Sequence, residues 1–170
     1  MDNTIGNQQA IDNKLAWLAG IWDGEGSFVI EKNGKNFLSG RISLTNSSTE
    51  MISEVTKIFD SFEISGHLWL EDKKINKHKK CYHLTINKII DVKKATELML
   101  PFLIAKRAQA EILIRFLSSR MKYKKIPIRN KTNGRIEGIE KIGYSEEEIS
   151  LYEQLKALNK TGRNIESLRD

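Results

Sequence analysis

The chain has 170 residues, of which 39% are hydrophobic, and it carries 28 Lys and Arg against 22 Asp and Glu for a net charge of +6. This fits one globular domain with a sizeable core, and the basic excess suits a polyanionic partner without requiring one. Cys81 is the single cysteine, which excludes an intrachain disulfide and suits a reducing compartment. No run of eighteen apolar residues exists, so a membrane-spanning helix is excluded.

The first predicted element is a short helix that starts at Asp12 or Asn13 and ends near Trp22. Residues 1–11 before it are polar and lack the pattern of a signal peptide, which predicts a loosely held arm. Apolar residues occur on every side of the helix, and we expect it to be buried all round. Small residues share one face, where a second helix could approach closely. These small residues are Ala16, Ala19 and Gly20.

Two acidic residues, Asp23 and Glu25, lie between glycines at the C-terminal end of this helix. Carboxylates are unfavourable there because the helix macrodipole is negative at that end. A hard divalent cation such as Mg²⁺ prefers oxygen ligands and would compensate. Two other interpretations are an ordinary buried helix with a glycine-rich end and, less favoured because the glycines follow a helix, a Gly-x-Gly nucleotide loop.

The middle of the chain alternates between strand and helix patterns. Polar and apolar residues alternate in the strands, Asn33–Gly34 predicts a tight turn, and Ser47 or Ser48 can cap the next helix. The predicted order is an α+β, αββαββα arrangement with an antiparallel sheet and helices on one face, over residues 12–118. Strands are predicted at 27–32, 37–46, 66–71 and 81–87, and helices at 49–62, 91–100 and 105–118.

The last part of the domain, residues 119–170, contains a basic segment and a helix from Glu146 to Leu158. Residues 112–136 include no acidic residue, and Pro127, Asn133 and Gly134 favour a loop. A solvated linker and a contact with DNA phosphates are equally supported for this segment.

The stretch Leu18-Ala-Gly-Ile-Trp-Asp-Gly-Glu-Gly26 resembles the LAGLIDADG motif of the homing endonucleases, with Glu25 in place of the usual final Asp. The predicted order of elements is also the one typical of that family. The motif occurs once, and single-motif members work as homodimers. The resemblance therefore implies that the motif helices of two subunits pack together through Ala16, Ala19 and Gly20.

The resemblance also implies a set of site residues. Glu25 would be the side-chain ligand of a divalent metal, Mg²⁺ with Ca²⁺ or Mn²⁺ as substitutes, and the carbonyl of Gly24 would add a second oxygen. Lys106 matches a lysine that polarises water or phosphate, and Asn46 matches a polar residue that positions the water network. Asp23 serves either the metal or the helix end. Glu50 or a neighbour stands where some relatives have an arginine, which is a departure from the family.

The face of the sheet opposite the helices is the expected DNA surface, because a two-stranded ribbon fits the major groove. Trp69 and Tyr82 have large apolar side chains and could face the core instead. The candidate DNA-binding residues are Lys32, Lys35, Arg41, Ser43, Thr45, Lys73, Lys74, Lys79 and Lys80.

The implied function is a homodimeric, site-specific homing endonuclease that hydrolyses both strands of a long, roughly palindromic double-stranded DNA target with a divalent metal. Such a protein would be encoded in an intron or intein and act inside the cell, in a prokaryotic cytoplasm or an organelle with its own genome. One alternative is an RNA maturase or DNA-binding relative that does not cleave. Another is a basic structural protein whose motif match is accidental.

Overall fold

The computed structural model describes residues 3–33, 37–71, 80–123, 127–129, 132, 134–139 and 143–161. Four strands and three helices follow the predicted αββαββα order, a fourth helix completes the core, and a short strand pair and a last helix follow. The elements are α1 (Asn3–Glu25), β1 (Gly26–Asn33), β2 (Phe37–Asn46), α2 (Thr49–Ser61), β3 (His67–Glu71), β4 (Cys81–Ile86), α3 (Ile89–Met99), a 3-10 turn (Leu100–Phe102), α4 (Arg107–Lys122), β5 (Pro127–Arg129), β6 (Ile136–Ile139) and α5 (Glu146–Thr161).

The main sheet has four antiparallel strands in the order β1-β2-β4-β3. Successive side chains alternate between its faces. Phe28, Ile30, Ile42 and Leu44 belong to the face that packs beneath the helices, and all four are buried. The predicted fold class is confirmed. We call the opposite side, which carries the residues between these positions, the open face.

The first helix is longer and less buried than predicted. It begins at Asn3 instead of Asp12 or Asn13, so it takes in most of the expected arm. No proline interrupts this stretch, and Gln8 donates a hydrogen bond of 2.8 Å to Asp12 one turn later. The expectation of burial on every side is wrong for the single chain, since Trp17 is 41% exposed.

The buried side of α1 fixes where β1 begins. Trp22 is fully buried and packs edge to face on Phe59, with ring centroids 5.6 Å apart. Gly26, the first residue of β1, lies against this indole, and a Cβ added there would be 2.4 Å from ring atoms. Glycine is therefore required at the junction between the motif helix and the sheet.

Residues predicted as a loop after α4 form a strand pair. β5 and β6 pair in antiparallel fashion, with an irregularity in register between Ile128 and Arg129. Pro127 occupies the first position of its strand, where the missing N–H is tolerated. Gly134, which lies between the two strands in sequence, adopts a positive φ of 69°. We call β5 and β6 together the ribbon.

Arg120 joins α4 to α5. Its guanidinium lies 5.0 Å from the ring centre of Tyr123 and 4.4 Å from that of Tyr144, and it donates to the Gly143 carbonyl at 3.2 Å. It also pairs with Glu148 at 3.4 Å, whose side chain is completely buried. Glu148 and Ser145 bond reciprocally at the start of α5, which is a capping box. We call these side chains the Arg120 cluster.

Tyr144 and α5 cover free edges of the β1-β2 hairpin. The Tyr144 hydroxyl accepts from the Leu38 N–H at 2.7 Å and donates to the Leu38 carbonyl at 3.0 Å. At the other end of α5, Asn159 donates to the Phe28 carbonyl at 3.0 Å. Both contacts satisfy strand groups that would otherwise offer an edge for pairing with another chain.

Candidate functional site

Asp23 accepts hydrogen bonds from the loop that leads into α4. Its two carboxylate oxygens accept the backbone N–H groups of Ile104, Ala105 and Lys106 at 2.7, 3.1 and 2.8 Å. These donors precede the first turn of α4, where N–H groups lack partners within the helix. Asp23 thus binds the backbone ahead of α4, a contact with a different helix from the one whose end the sequence suggested.

Lys106 brings a positive charge to the end of α1, where the last turn of the helix contains no basic residue. Its ammonium donates to the carbonyls of Trp22 at 3.0 Å and Gly26 at 2.7 Å, with a longer contact of 3.5 Å to Gly24. These carbonyls lie at and just beyond the C-terminal end of α1. Burial lowers the pKa of Lys106, and the Asp23 carboxylate opposes that shift. A partly desolvated ammonium thus lies at the negative end of the motif helix.

Glu25 is the exposed acid of the pair. Its Oε2 accepts a hydrogen bond from the Asn46 side-chain amide. Asn46 is held in that orientation because its Oδ1 accepts the Ser48 N–H at 2.7 Å. The Ser48 hydroxyl in turn donates to Glu50 at 3.0 Å. Hydrogen bonds to its own backbone N–H and to Ser48 lower the pKa of Glu50. The structure therefore brings Asn46 to Glu25 and links both to Glu50 through Ser48, a connection that the sequence reasoning missed.

The oxygen atoms at this site suit a hard divalent cation, but one chain provides few of them. Glu25 and Gly24 are both exposed, so the carboxylate and the carbonyl proposed as ligands are accessible. Across the described ranges, no three His, Cys, Asp or Glu side chains are grouped closely enough to hold a metal ion. The residues present thus fit a metal held jointly with a second set of ligands, since Mg²⁺ and Ca²⁺ take about six or more oxygens.

The exposed side of α1 is lined by small residues. Ala16, Gly20 and Gly24 recur one helical turn apart and are all exposed, and a Cβ added at either glycine would meet nothing within 4 Å. Ala19 is different, because it is fully buried in the chain's own core. Its predicted place in a dimer interface is therefore wrong, and the open stripe consists of Ala16, Gly20 and Gly24.

The open face of the sheet carries three of the nine predicted DNA-binding residues. Arg41, Ser43 and Thr45 lie on it, with Arg41 paired to Glu31 at 3.2 Å. Lys32 does not, because it shares the alternation of the buried Phe28 and lines a cleft with Tyr144 and Tyr152. Lys80 is exposed just before β4. The predictions for Lys35, Lys73, Lys74 and Lys79 fall outside the described residues.

The sequence reasoning also missed a side-chain cluster on the open face. His83 pairs across β2 and β4 with Thr45, whose hydroxyl lies 3.0 Å from Nδ1, and its Nε2 lies 3.3 Å from Glu71. Trp69 stacks on the imidazole with ring centres 4.0 Å apart. Trp69 therefore lies outside the core, whereas Tyr82 packs against it. Alternation along β3 and β4 was the signal that could have placed these residues.

A model of the LAGLIDADG-like domain matches residues 12–99, which is more than half of the chain. The chain belongs to the LAGLIDADG family. No curated protein matches it significantly. No helix in the part of the chain that the structure describes has the length and apolarity needed to cross a membrane.

Solved LAGLIDADG structures share this fold. The chain is similar to the homing endonuclease I-CvuI in complex with the I-CreI target, with a TM-score of 0.53 and 17% identity over 64% of this chain and 68% of that one. I-CvuI with its own target gives 0.52 and 20% over the same shares. The meganuclease I-AabMI bound to uncleaved DNA gives 0.50 and 17% over 64% and 37%. At these identities the likeness establishes the fold alone.

Proposed function

We propose that the protein is a site-specific homing endonuclease that hydrolyses both strands of a long, roughly palindromic DNA target. The observation that carries the proposal is that the Lys106 ammonium binds the carbonyls on either side of Glu25, at the end of the motif helix where the Glu25 carboxylate is exposed. The accessible carboxylate of Glu25 and the partly desolvated ammonium of Lys106 lie at the same end of the helix. A metal-binding acid and a cation in one place are suited to the hydrolysis of a phosphodiester. The matching family model and the DNA complexes of similar structures support DNA as the partner.

The active unit in this proposal is a homodimer. One chain presents one Glu25, one Lys106 and an exposed stripe of Ala16, Gly20 and Gly24, so its site is half of what two-strand cleavage needs. Packing two stripes together would bring the two helix ends, each with its Glu25, side by side. Trp17 and Ile104, which are 41% and 90% exposed, add apolar surface near the stripe and near the end of α1.

A divalent metal, Mg²⁺ in the proposal, would be held by the Glu25 carboxylate and the Gly24 carbonyl of each subunit. When bound, such an ion supplies Lewis acidity at phosphate oxygens and favours ionisation of water. Other residues of the chain position these groups. Asn46 fixes the Glu25 carboxylate, and Asp23 holds the backbone of Lys106 so that its ammonium stays beside the Gly24 carbonyl.

The alternative is a relative that binds RNA or DNA without cleaving it. Glu50 favours this alternative, because it adds a negative charge to the hydrogen-bond network at a position where some relatives have an arginine. Retention of both Glu25 and Lys106 favours the endonuclease, since binding alone needs neither an exposed acid nor a partly buried ammonium at the same helix end.

The experiment is selection of cleaved duplexes from a randomised DNA library with Mg²⁺, followed by assay of the Glu25→Gln variant on the selected site. We expect wild-type protein to cut both strands at one position, and Glu25→Gln to bind with similar affinity while cleavage falls by at least about 100-fold. Glu54→Gln removes a partly exposed acid from α2 and should cut normally. Cleavage by Glu25→Gln at the wild-type rate would refute the metal role.

Dimerisation is tested separately by light scattering. A dimer of two 19.5 kDa chains is expected for the wild type and a monomer for Gly20→Arg. Space around Gly20 leaves the single chain free to fold with the larger side chain, and far-ultraviolet circular dichroism should confirm this. A monomeric wild type that still cuts both strands in one binding event would overturn the homodimer.

A further inference from the structure

One histidine connects three strands on the open face of the sheet. His83 on β4 is the register partner of Thr45 on β2 and of Trp69 on β3. Its Nδ1 lies 3.0 Å from the Thr45 hydroxyl, and its Nε2 lies 3.3 Å from the Glu71 carboxylate. The Trp69 ring stacks on the imidazole with an angle of 10° between the two planes. Two polar contacts and one stacking contact thus fix the orientation of the imidazole.

Glu71 determines which nitrogen of the uncharged imidazole carries the proton. An ionised carboxylate accepts hydrogen bonds and cannot donate one, so Nε2 must carry the N–H that bonds Glu71. Nδ1 is then left with a lone pair only. The His83 and Glu71 side chains are 22% and 33% exposed, so this contact is partly shielded from water. A hydroxyl can donate or accept, and that of Thr45 must therefore donate to Nδ1.

This arrangement fixes the polarity of an exposed hydroxyl. Thr45 lies at the surface, and across the described ranges no other side chain bonds its hydroxyl. Because its one hydrogen points to His83, only oxygen lone pairs face outwards. Ser43, the preceding residue on the same face of β2, differs in this respect. Its hydroxyl lies 2.8 Å from that of Ser27, and either of the two can donate. Thr45 alone of this pair is committed to accepting.

The position of Thr45 places this acceptor near the candidate site. Asn46, the next residue, donates to Glu25, so Thr45 lies at the end of the open face closest to that acid. In the major groove, cytosine N4 and adenine N6 present N–H donors, whereas guanine O6 and N7 and thymine O4 present acceptors. An outward-facing acceptor matches the first two bases and opposes lone pairs to lone pairs at the other two.

We propose that the Glu71–His83 pair fixes Thr45 as a hydrogen-bond acceptor, so that the protein selects cytosine or adenine over guanine or thymine at one position in each half of its target. This rests on the proposed function, because it needs a duplex on the open face. Glu71 and His83 are positioning residues, since they act through the threonine hydroxyl. One neutral hydrogen bond corresponds to about 5-fold in affinity, so two symmetric contacts should discriminate by about 25-fold.

The first experiment uses the free protein and needs no DNA. Nitrogen-15 NMR reports the protonation of each imidazole nitrogen, and the signals absent from His83→Phe identify this ring. At about pH 8.5 an ordinary histidine is uncharged. We expect the tautomer with N–H at Nε2 in the wild type and in Thr45→Val, and a mixture of tautomers in Glu71→Ala. A proton on Nδ1 of the wild-type ring would overturn the inference and leave the endonuclease intact.

The second experiment measures binding at the same pH to duplexes that carry each of the four base pairs at every position of the selected site. Thr45→Val should abolish discrimination at one symmetric pair of positions, which identifies the contacted base. His83→Phe keeps an aromatic ring for Trp69 but frees the hydroxyl to rotate, so discrimination there should fall below about 2-fold. The control is Thr56→Val, which removes a hydroxyl from α2 in the helix layer and should keep the wild-type preference. Circular dichroism confirms that each variant is folded.

The outcomes separate the inference from the proposed function. A wild-type preference for guanine or thymine at the position that Thr45→Val identifies would contradict the assigned polarity. Unchanged discrimination in His83→Phe would show that the cluster only stabilises the sheet. Either result overturns the inference and leaves the endonuclease intact. A wild type that binds no duplex would instead refute the proposed function, and the inference with it.

Discussion

Replacement of Asp23 by alanine tests whether the two acids of the motif have separate roles. Its carboxylate accepts three backbone N–H groups ahead of α4, at 2.7 to 3.1 Å. Removing a carboxylate cap from one helix costs roughly 0.5 to 2 kcal/mol, and hydrogen bonds to charged groups are at the strong end of that range. Water reaches this half-buried site and hydrogen-bonds the freed N–H groups, which offsets part of the lost free energy. We expect Asp23→Ala to lower the free energy of unfolding by about 2 kcal/mol.

The matched comparison is Glu25→Ala. Glu25 is exposed and bonds only Asn46 among the described side chains, so its removal should change stability by less than about 0.5 kcal/mol. Urea unfolding followed by circular dichroism measures both, and Asp23→Asn, which keeps one acceptor oxygen, should fall between them. Equal stability of Asp23→Ala and Glu25→Ala would refute the assignment of Asp23 to the helix end.

Three further predictions concern the surroundings of the site. The pKa of Lys106, followed by NMR of its side chain, should lie below that of an ordinary lysine and fall further when the Asp23 charge is removed. A lowered pKa in the folded protein means that the unfolded chain binds more protons. The contribution of Lys106 to stability therefore rises with pH between the folded and unfolded pKa values. Gly26→Ala, which forces a Cβ into the indole beneath it, should cost about 1 to 3 kcal/mol in chemical denaturation, whereas Gly24→Ala should leave the single chain unchanged. Arg120→Ala, by leaving a fully buried Glu148 carboxylate unpaired, should lower stability by about 3 kcal/mol, and a thermal melt identical to wild type would contradict this.

The sequence was sufficient for the core of the fold because its signals are local. Alternation in the strands, helical spacing in α2 and α3, and the Ser48 cap each act over a few residues, and the structure confirms all of them. The start of α1 was misplaced because polar residues such as Gln8 and Asn13 neither favour nor break a helix strongly. The ribbon was missed because Pro127 and Gly134 are equally typical of a loop and of a strand pair with a tight turn.

The residues of the candidate site were named from the family resemblance, but their contacts could not be predicted. Glu25 lies in the motif itself, Asn46 and Lys106 lie outside it, and the structure brings Asn46 to Glu25 and Lys106 to the same helix end. Sequence could not show that Asp23 binds the amides before α4, since that contact joins residues about eighty positions apart. Ala19 was assigned to the wrong side because it lies near the border between the small-residue stripe and the core, where one helical position decides burial.

The contacts between Asp23, Lys106 and the end of α1 have a consequence for synthesis of the protein. α1 leaves the ribosome well before residues 104–106, and until these are made its two acids lie at the negative end of the helix with no ammonium beside them. Long-range contacts of this kind form late, because the intervening chain must be ordered first. A nascent chain therefore completes the contacts at this end of α1 only after both hairpins have been translated.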